Sequence, residues 1–260
     1  MEKTELQQQL RETVMSDYAR QMAAIRDELR ANPHSRKAIR QRSLLLDRII
    51  MTIMRVGQTR KHPKLAVMAV GGYGRSEMFF HSDVDIMFLV EEGKHAQAEP
   101  LINMILYLLW DAKLKVGHSV RTVSEAIEES LSDMKTRTNL LEARRVTGSR
   151  TLATAFFQQF EQQILRGRER EFIEAKLAER VARHQKFGDS RALLEPNIKE
   201  GKGALRDLQT LNWLMRACYG VRKMGEIATL GKISKRELSD FRRARKFLHL
   251  VRLHLHDISG

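Results

Sequence analysis

The sequence predicts an α+β protein in which a small α/β unit with a mixed sheet is flanked by a helical N-terminal extension and a helical C-terminal domain. Three observations lead there. Residues 1–60 carry apolar positions at helical spacing. The next 60 residues alternate short apolar runs with a single helical stretch. From Val123 onward the periodicity is helical again.

Taken in order, Leu6, Leu10, Val14, Tyr18, Met22 and Ile25 recur three and four residues apart, which makes one apolar face of a first helix. Asn32-Pro33 breaks it. A second helix runs from about Ser35 to Thr59, with Ile39, Leu44, Leu45, Ile49, Ile53 and Met54 inside. His62-Pro63 marks the next boundary. LAVMAV (65–70) is a short apolar run ending in glycines and suits a buried strand. The start of GGYGRSEMFFHS is too glycine-rich for regular structure, and DVDIMFLV (83–90) reads as a second strand. A helix follows at about 95–112, then a third strand in LKVGHSVRT (114–122). These boundaries give a helical extension at 1–60, an α/β domain at 61–122 and a helical domain at 123–260. Breaks within the last fall near Gly148, Gly188 and EPNIKEGKGALRD, and its final helix is amphipathic through Phe241, Ala244, Leu248, Val251, Leu255 and Ile258.

Composition excludes several classes. The one cysteine, Cys218, cannot form an intramolecular disulfide, and its apolar helical surroundings favour packing over nucleophilic work. The polar N-terminus has no apolar leader core, and no run approaches the roughly 18 apolar residues that span a bilayer. A cytoplasmic protein without a membrane partner is expected. The net charge of +14 attracts polyanions, but Lys and Arg are interspersed with acids along helical segments such as RGREREFIEAKLAERVAR. Aromatic residues do not alternate with the basic ones, so a nucleic-acid platform gains no support.

Chemistry concentrates in residues 65–90. Asp83 and Asp85, two apart on a strand, project from one face. Two adjacent carboxylates repel unless a cation lies between them, and hard oxygen ligands suit Mg²⁺. Gly71, Gly72 and Gly74 permit a tight turn whose N–H groups approach triphosphate oxygens, with Arg75 as a further cationic contact and Ser82 beside the carboxylates. The ten residues from Tyr73 to Ser82 suffice to return the chain if the first two strands pair. The pattern is that of metal-assisted nucleotidyl transfer, with Asp83 and Asp85 catalytic and metal-holding. No Gly-Lys-Ser/Thr follows the glycines and no helix directly follows in the Rossmann manner.

GGYGR…SDVDIMFLV resembles the nucleotidyltransferase motif of the bacterial PII uridylyltransferase/uridylyl-removing family. LLWDAKLKVGHSVRT (108–122), TNLLEARRVTGS (138–149) and LEPNIKEGKGALRDLQTLNWL (194–214) are similar to further stretches of that family, so the resemblance covers about 60–260. It implies Gly71, Gly72, Asp83 and Asp85 as triphosphate and metal residues, and transfer of UMP from UTP to a tyrosine of the PII nitrogen-signalling protein. It also implies a longer, multifunctional enzyme with a phosphohydrolase and ligand-sensing domains. The chain stops at Gly260 and reads as an N-terminal portion.

The missing third carboxylate and the stop at Gly260 leave alternatives open. LKVGHSVRT carries no third carboxylate; Lys115 stands where one is sought, and Asp111 and Glu142 are candidate substitutes, read rather as a helix-surface acid and a structural ion-pair partner. A different base or acceptor, or an inactive module that binds nucleotide or PII, therefore competes with the uridylyltransferase reading. Elsewhere, His118 and Arg121 either reach the nucleotide or belong to an edge strand. Lys199, Lys202 and Arg206 either line the triphosphate or its acceptor, or form a joint in which Arg206 and Asp207 pair. His249, His254 and the His256-Asp257 doublet lack the partners that a metal site needs.

Overall fold

A computed structural model describes residues 2–57, 62–187, 195–221 and 223–259, with side chains from Gln8 onward. The fold is α+β, in two compact units, Met1–Phe160 and Glu161–Gly260.

The first unit begins with α1 (Glu2–Ala31) and α2 (Lys37–Gly57), separated by the expected break at Pro33. The expected end of the second helix at Thr59 and the break at Gly188 lie outside the described residues. The unit continues through β1 (Leu65–Ala69), α3 (Gly71–Gly74), β2 (Val84–Val90), α4 (His95–Asp111) and β3 (Val116–Arg121). It closes with α5 (Val123–Ser132), α6 (Met134–Leu141), β4 (Arg144–Gly148) and α7 (Arg150–Gln159). The strands form one mixed sheet of order β3-β2-β1-β4. β1 runs antiparallel to β2 and to β4, and β2 runs parallel to β3 through the α4 crossover.

Every residue of β1 is buried, and β2 is buried except at Asp85, which is only partly so. Since alternate residues face opposite ways, both faces of these strands are covered, which explains their continuous apolar runs. The cover comes from α2 and α4, packed on each other and on the sheet, and from α5 and α7, likewise paired. The Leu101–Trp110 run is the buried side of α4, except for exposed Tyr107 and Trp110.

Two expectations in this unit are corrected. The glycine-rich start is one regular helical turn, α3, because Gly71 takes φ +52° and Tyr73, fully buried, pulls the next residues into the core. The stretch after Val123 is not all helix: β4 pairs with β1 and extends the sheet beyond residue 122. Its charged sequence, RRVTG, suits an edge strand that resists pairing with another chain.

The second unit holds α8 (Glu169–Lys186), α9 (Leu205–Tyr219), α10 (Met224–Thr229) and α11 (Lys235–Ile258), after a π-helical stretch at Phe160–Leu165. Met224, Ile227 and Phe241 form a core patch under Leu208, Leu211 and Met215. The buried positions of α11 are Phe241, His249 and Leu253, so the expected stripe through Leu255 and Ile258 is corrected; Ile258 is 83% exposed. Cys218 is half-buried, and burial raises its thiol pKa, as packing requires. Among the described residues no helix is long and apolar enough to cross a membrane.

Candidate active site

The glycine turn is fastened from three sides. Its helical bonds run from Gly74 N–H to Val70 O (2.9 Å) and from Arg75 N–H to Gly71 O (3.1 Å). The N–H groups of Gly71 and Gly72 stand at the start of the turn, where a helix supplies no acceptor of its own. From α2, Asp47 accepts the Tyr73 hydroxyl at 2.6 Å. Asp47 also takes both terminal nitrogens of Arg144 on β4, each at 2.9 Å, and Arg144 lies over the Tyr73 ring at 4.9 Å. Burial and the Asp47 charge hold the Tyr73 hydroxyl protonated well above the ordinary range. On the other side, Arg75 is paired with Glu77 (2.8 Å) and with Glu142, just after α6. Both carboxylates outweigh burial and raise its pKa further. Arg75 thus staples the turn to α6, and Glu142 is an ion-pair partner. Gly74 sits so close to Glu142 that a Cβ there would run into its carbonyl oxygen.

The carboxylates lie at the start of β2. Val70 N–H donates to Asp85 O (3.1 Å), bringing the end of β1 beside Asp85. A Cβ at Gly71 would lie 3.3 Å from Asp85 Oδ2, and one at Gly117, its register partner on β3, would lie 2.8 Å from Oδ1. The Asp85 carboxylate is therefore wedged between two glycines, one on the turn and one on the neighbouring strand. Asp83 is exposed, and its carboxylate has no hydrogen bond among the described residues. The loop before it is held from α2: Arg42, buried, donates to Phe79 O and to Ser82 O (3.4 Å). The Ser82 hydroxyl is committed within this loop, accepting Phe79 N–H at 3.1 Å. Of the sequence-predicted residues, Gly71 and Asp85 thus meet, Gly72 and Gly74 follow in the same turn, Asp83 stands exposed just before β2, and Arg75 and Ser82 are bonded within the frame.

Beside Asp85 opens a depression of about 210 Å³ lined by Gly117, Ser119 and Arg121 of β3 and by Thr136, Asn139 and Leu140 of α6. Arg121 is engaged by Glu129 at 2.5 Å, and Thr136 donates to the same carboxylate. The side chains of Ser119 and Asn139 make no hydrogen bond among the described residues. β3 is one of the two sheet edges; His118, in register with Ile86, lies beside Trp110 with ring centroids 6.2 Å apart. Asp111 pairs with Arg11 at 2.7 Å on the helix surface, and Lys115 is exposed. No group of three or more His, Cys, Asp or Glu with metal-holding geometry occurs among the described residues. Two carboxylates with neutral oxygens nearby fit a hard cation that keeps waters and shares a phosphate, as Mg²⁺ does.

In the second unit, the segment before α9 is a turn network of its own. Asn197 accepts Lys199 N–H (3.0 Å) and Glu200 N–H (2.8 Å). Asp207 accepts Gly203 N–H (2.8 Å), His184 (3.0 Å) and Arg183. Of the two readings of this segment, the one that paired Arg206 with Asp207 is not what forms: Arg206 binds Glu200 at 3.1 Å and lies near Trp213, because Arg183 and His184 of α8 already occupy Asp207.

Asp47, Tyr73, Arg144, Gly117, Ser119 and Asn139 were not singled out from the sequence. Tyr73 alone had a signal, an aromatic residue inside a glycine turn.

A family model described as GlnD PII-uridylyltransferase matches residues 171–260. A bifunctional uridylyltransferase/uridylyl-removing enzyme of Novosphingobium aromaticivorans is 44% identical over 213 residues, 82% of this chain and 23% of the relative. A protein of the same description from Ruegeria pomeroyi is 42% identical over 247 residues, 92% of this chain and 27% of the relative. The chain thus spans about a quarter of the length of the curated relatives it matches.

Proposed function

Over most of its length the chain belongs to the bifunctional uridylyltransferase/uridylyl-removing enzyme family, and from that membership we propose that residues 1–160 transfer UMP from UTP to a tyrosine of the PII protein, in the cytoplasm. The observation that carries the reading is the placement of Asp85 between Gly71 of the turn and Gly117 of β3. It sets a carboxylate beside the N–H groups that would receive triphosphate oxygens.

In this reading Asp83 and Asp85 hold Mg²⁺, which when bound neutralises charge on the triphosphate and its transition state. The Gly71 and Gly72 N–H groups orient the phosphates, and the Tyr73–Asp47–Arg144 cluster keeps those N–H groups in place. The acceptor tyrosine oxygen attacks the α-phosphorus, the bond to the β-phosphate oxygen breaks, and pyrophosphate leaves. Asp83, exposed and with no hydrogen bond among the described residues, would take the tyrosine proton. Catalysis is then mainly positioning and electrostatics.

The test compares UTP with ATP as donors to purified PII, with and without Mg²⁺. Metal-dependent label on a PII tyrosine from UTP supports the reading, and equal transfer from ATP removes its base specificity. The two-carboxylate donor set favours one second reading, a module that binds nucleotide or PII without turnover. UTP binding with no transfer by folded protein is its signature.

A further inference from the structure

On the proposed nucleotidyl-transfer reading, the geometry points to Asn139 as the third oxygen donor of the metal–triphosphate site, filling with a neutral amide the place for which β3 provides no carboxylate. Four observations carry it.

First, β3 has no room for an acid at the register partner of Asp85. That residue is Gly117, where even a Cβ would press on Asp85 Oδ1 at 2.8 Å. Second, Asn139 Oδ1 and Asp85 Oδ2 lie near the same point. A point one Cβ bond out from Gly71 is 3.3 Å from Asp85 Oδ2 and 3.8 Å from Asn139 Oδ1. The two oxygens therefore converge over the first residue of the glycine turn. Third, the Asn139 side chain is spare: both residues line the same depression, yet its amide makes no hydrogen bond among the described residues. Fourth, its position is imposed by its surroundings. Asp133 caps α6 through Lys135 and Thr136 N–H, and buried Arg137 ties α6 to Ser130 O. Beyond α6, Glu142 pairs with Arg75 of the turn. The ion pair that withdraws Arg75 from the phosphates is what sets Asn139 against Gly71 and Asp85.

A neutral third donor has a chemical consequence. Two carboxylates and an amide attract a divalent cation less than three carboxylates do, so the metal is held firmly only when triphosphate oxygens complete its shell. The cation accordingly arrives with the nucleotide.

The test measures Mn²⁺ binding by electron paramagnetic resonance, with and without a non-hydrolysable α,β-imido UTP analogue, on the 260-residue chain. Wild type is expected to bind Mn²⁺ much more tightly with the analogue present. Asn139→Ala, at an exposed position, keeps the unfolding midpoint and weakens that binding on the order of tenfold. Asn139→Asp restores it, and binds Mn²⁺ more tightly than wild type when nucleotide is absent. Wild-type Mn²⁺ affinity in Asn139→Ala, or an Asp variant no better than the Ala variant, overturns the assignment while leaving the transfer reading intact. A folded wild type that binds no Mn²⁺ with the analogue overturns both.

Discussion

A carboxylate flanked by two glycines has its orientation set by what those glycines lack. At Asp85 both oxygens face positions where a Cβ is missing, so Gly117→Ala is expected to turn the carboxylate without disturbing the fold. Transfer should fall roughly 100-fold, the usual cost of displacing a catalytic group by about 1 Å, while the urea midpoint stays near that of wild type. Steady-state kinetics beside urea titration check this. The opposite pattern is expected at Asp47, which carries Tyr73 and Arg144 together. Asp47→Ala leaves a mostly buried guanidinium unpaired and should cost about 3 kcal/mol in unfolding free energy, with KM for the nucleotide raised as the turn loosens. Asp83, Asp85 and the glycines were legible because their chemistry is local: two residues apart on a strand, or adjacent in a turn. Asp47 was not, since its partners lie 26 and 97 residues away and an isolated aspartate on a helix carries no mark. The place of Asn139 was hidden for the same reason, as was the pairing of Arg75 with Glu142, 67 residues on.

The strands legible in the sequence were the buried ones, β1 and β2, whose apolar runs leave no other place for them. β4 escaped because an edge strand needs only one covered side and is written in charged and polar residues, so its periodicity resembles that of an exposed helix. The pairing itself is demanding: Gly148 takes φ +84° and a Cβ there would run into Leu65 O. Gly148→Ala should therefore separate β4 from β1 and expose the amide of Val67, which faces β4, to hydrogen exchange. The start of α5 offers a milder probe. Thr122, almost fully buried, forms a capping box with Glu125, and Thr122→Ala should cost about 1 kcal/mol in thermal or urea unfolding. The glycine turn shows how tertiary anchoring overrides propensity, since buried Tyr73 makes a helical turn of a sequence with no helical preference.

At the scale of the whole unit, the second unit carries two acid-sensitive carboxylates that are partly buried. Burial works against ionisation of Asp207 and Glu200, yet both titrate below the ordinary carboxylate range. Gly203 N–H, His184 and Arg183 hold Asp207 down, and Arg206 and Lys199 hold Glu200 down. A carboxylate whose folded pKa is depressed adds stability above its unfolded pKa and loses it as pH falls through the folded value. Residues 161–260 should thus weaken below roughly pH 4. The gap in urea midpoint between wild type and Asp207→Asn should shrink steadily from pH 7 to pH 3. The net charge of +14 was legible at once but indicates only an attraction to polyanions; the proposed reading narrows that to a triphosphate between the glycine turn and two carboxylates. The most direct measurement of that claim is transfer of labelled UMP from UTP–Mg²⁺ to PII, by wild type and by the Asp83→Asn/Asp85→Asn double variant. Label from the wild type and none from the equally folded variant is the predicted result. Equal labelling by both would contradict the assignment of this site.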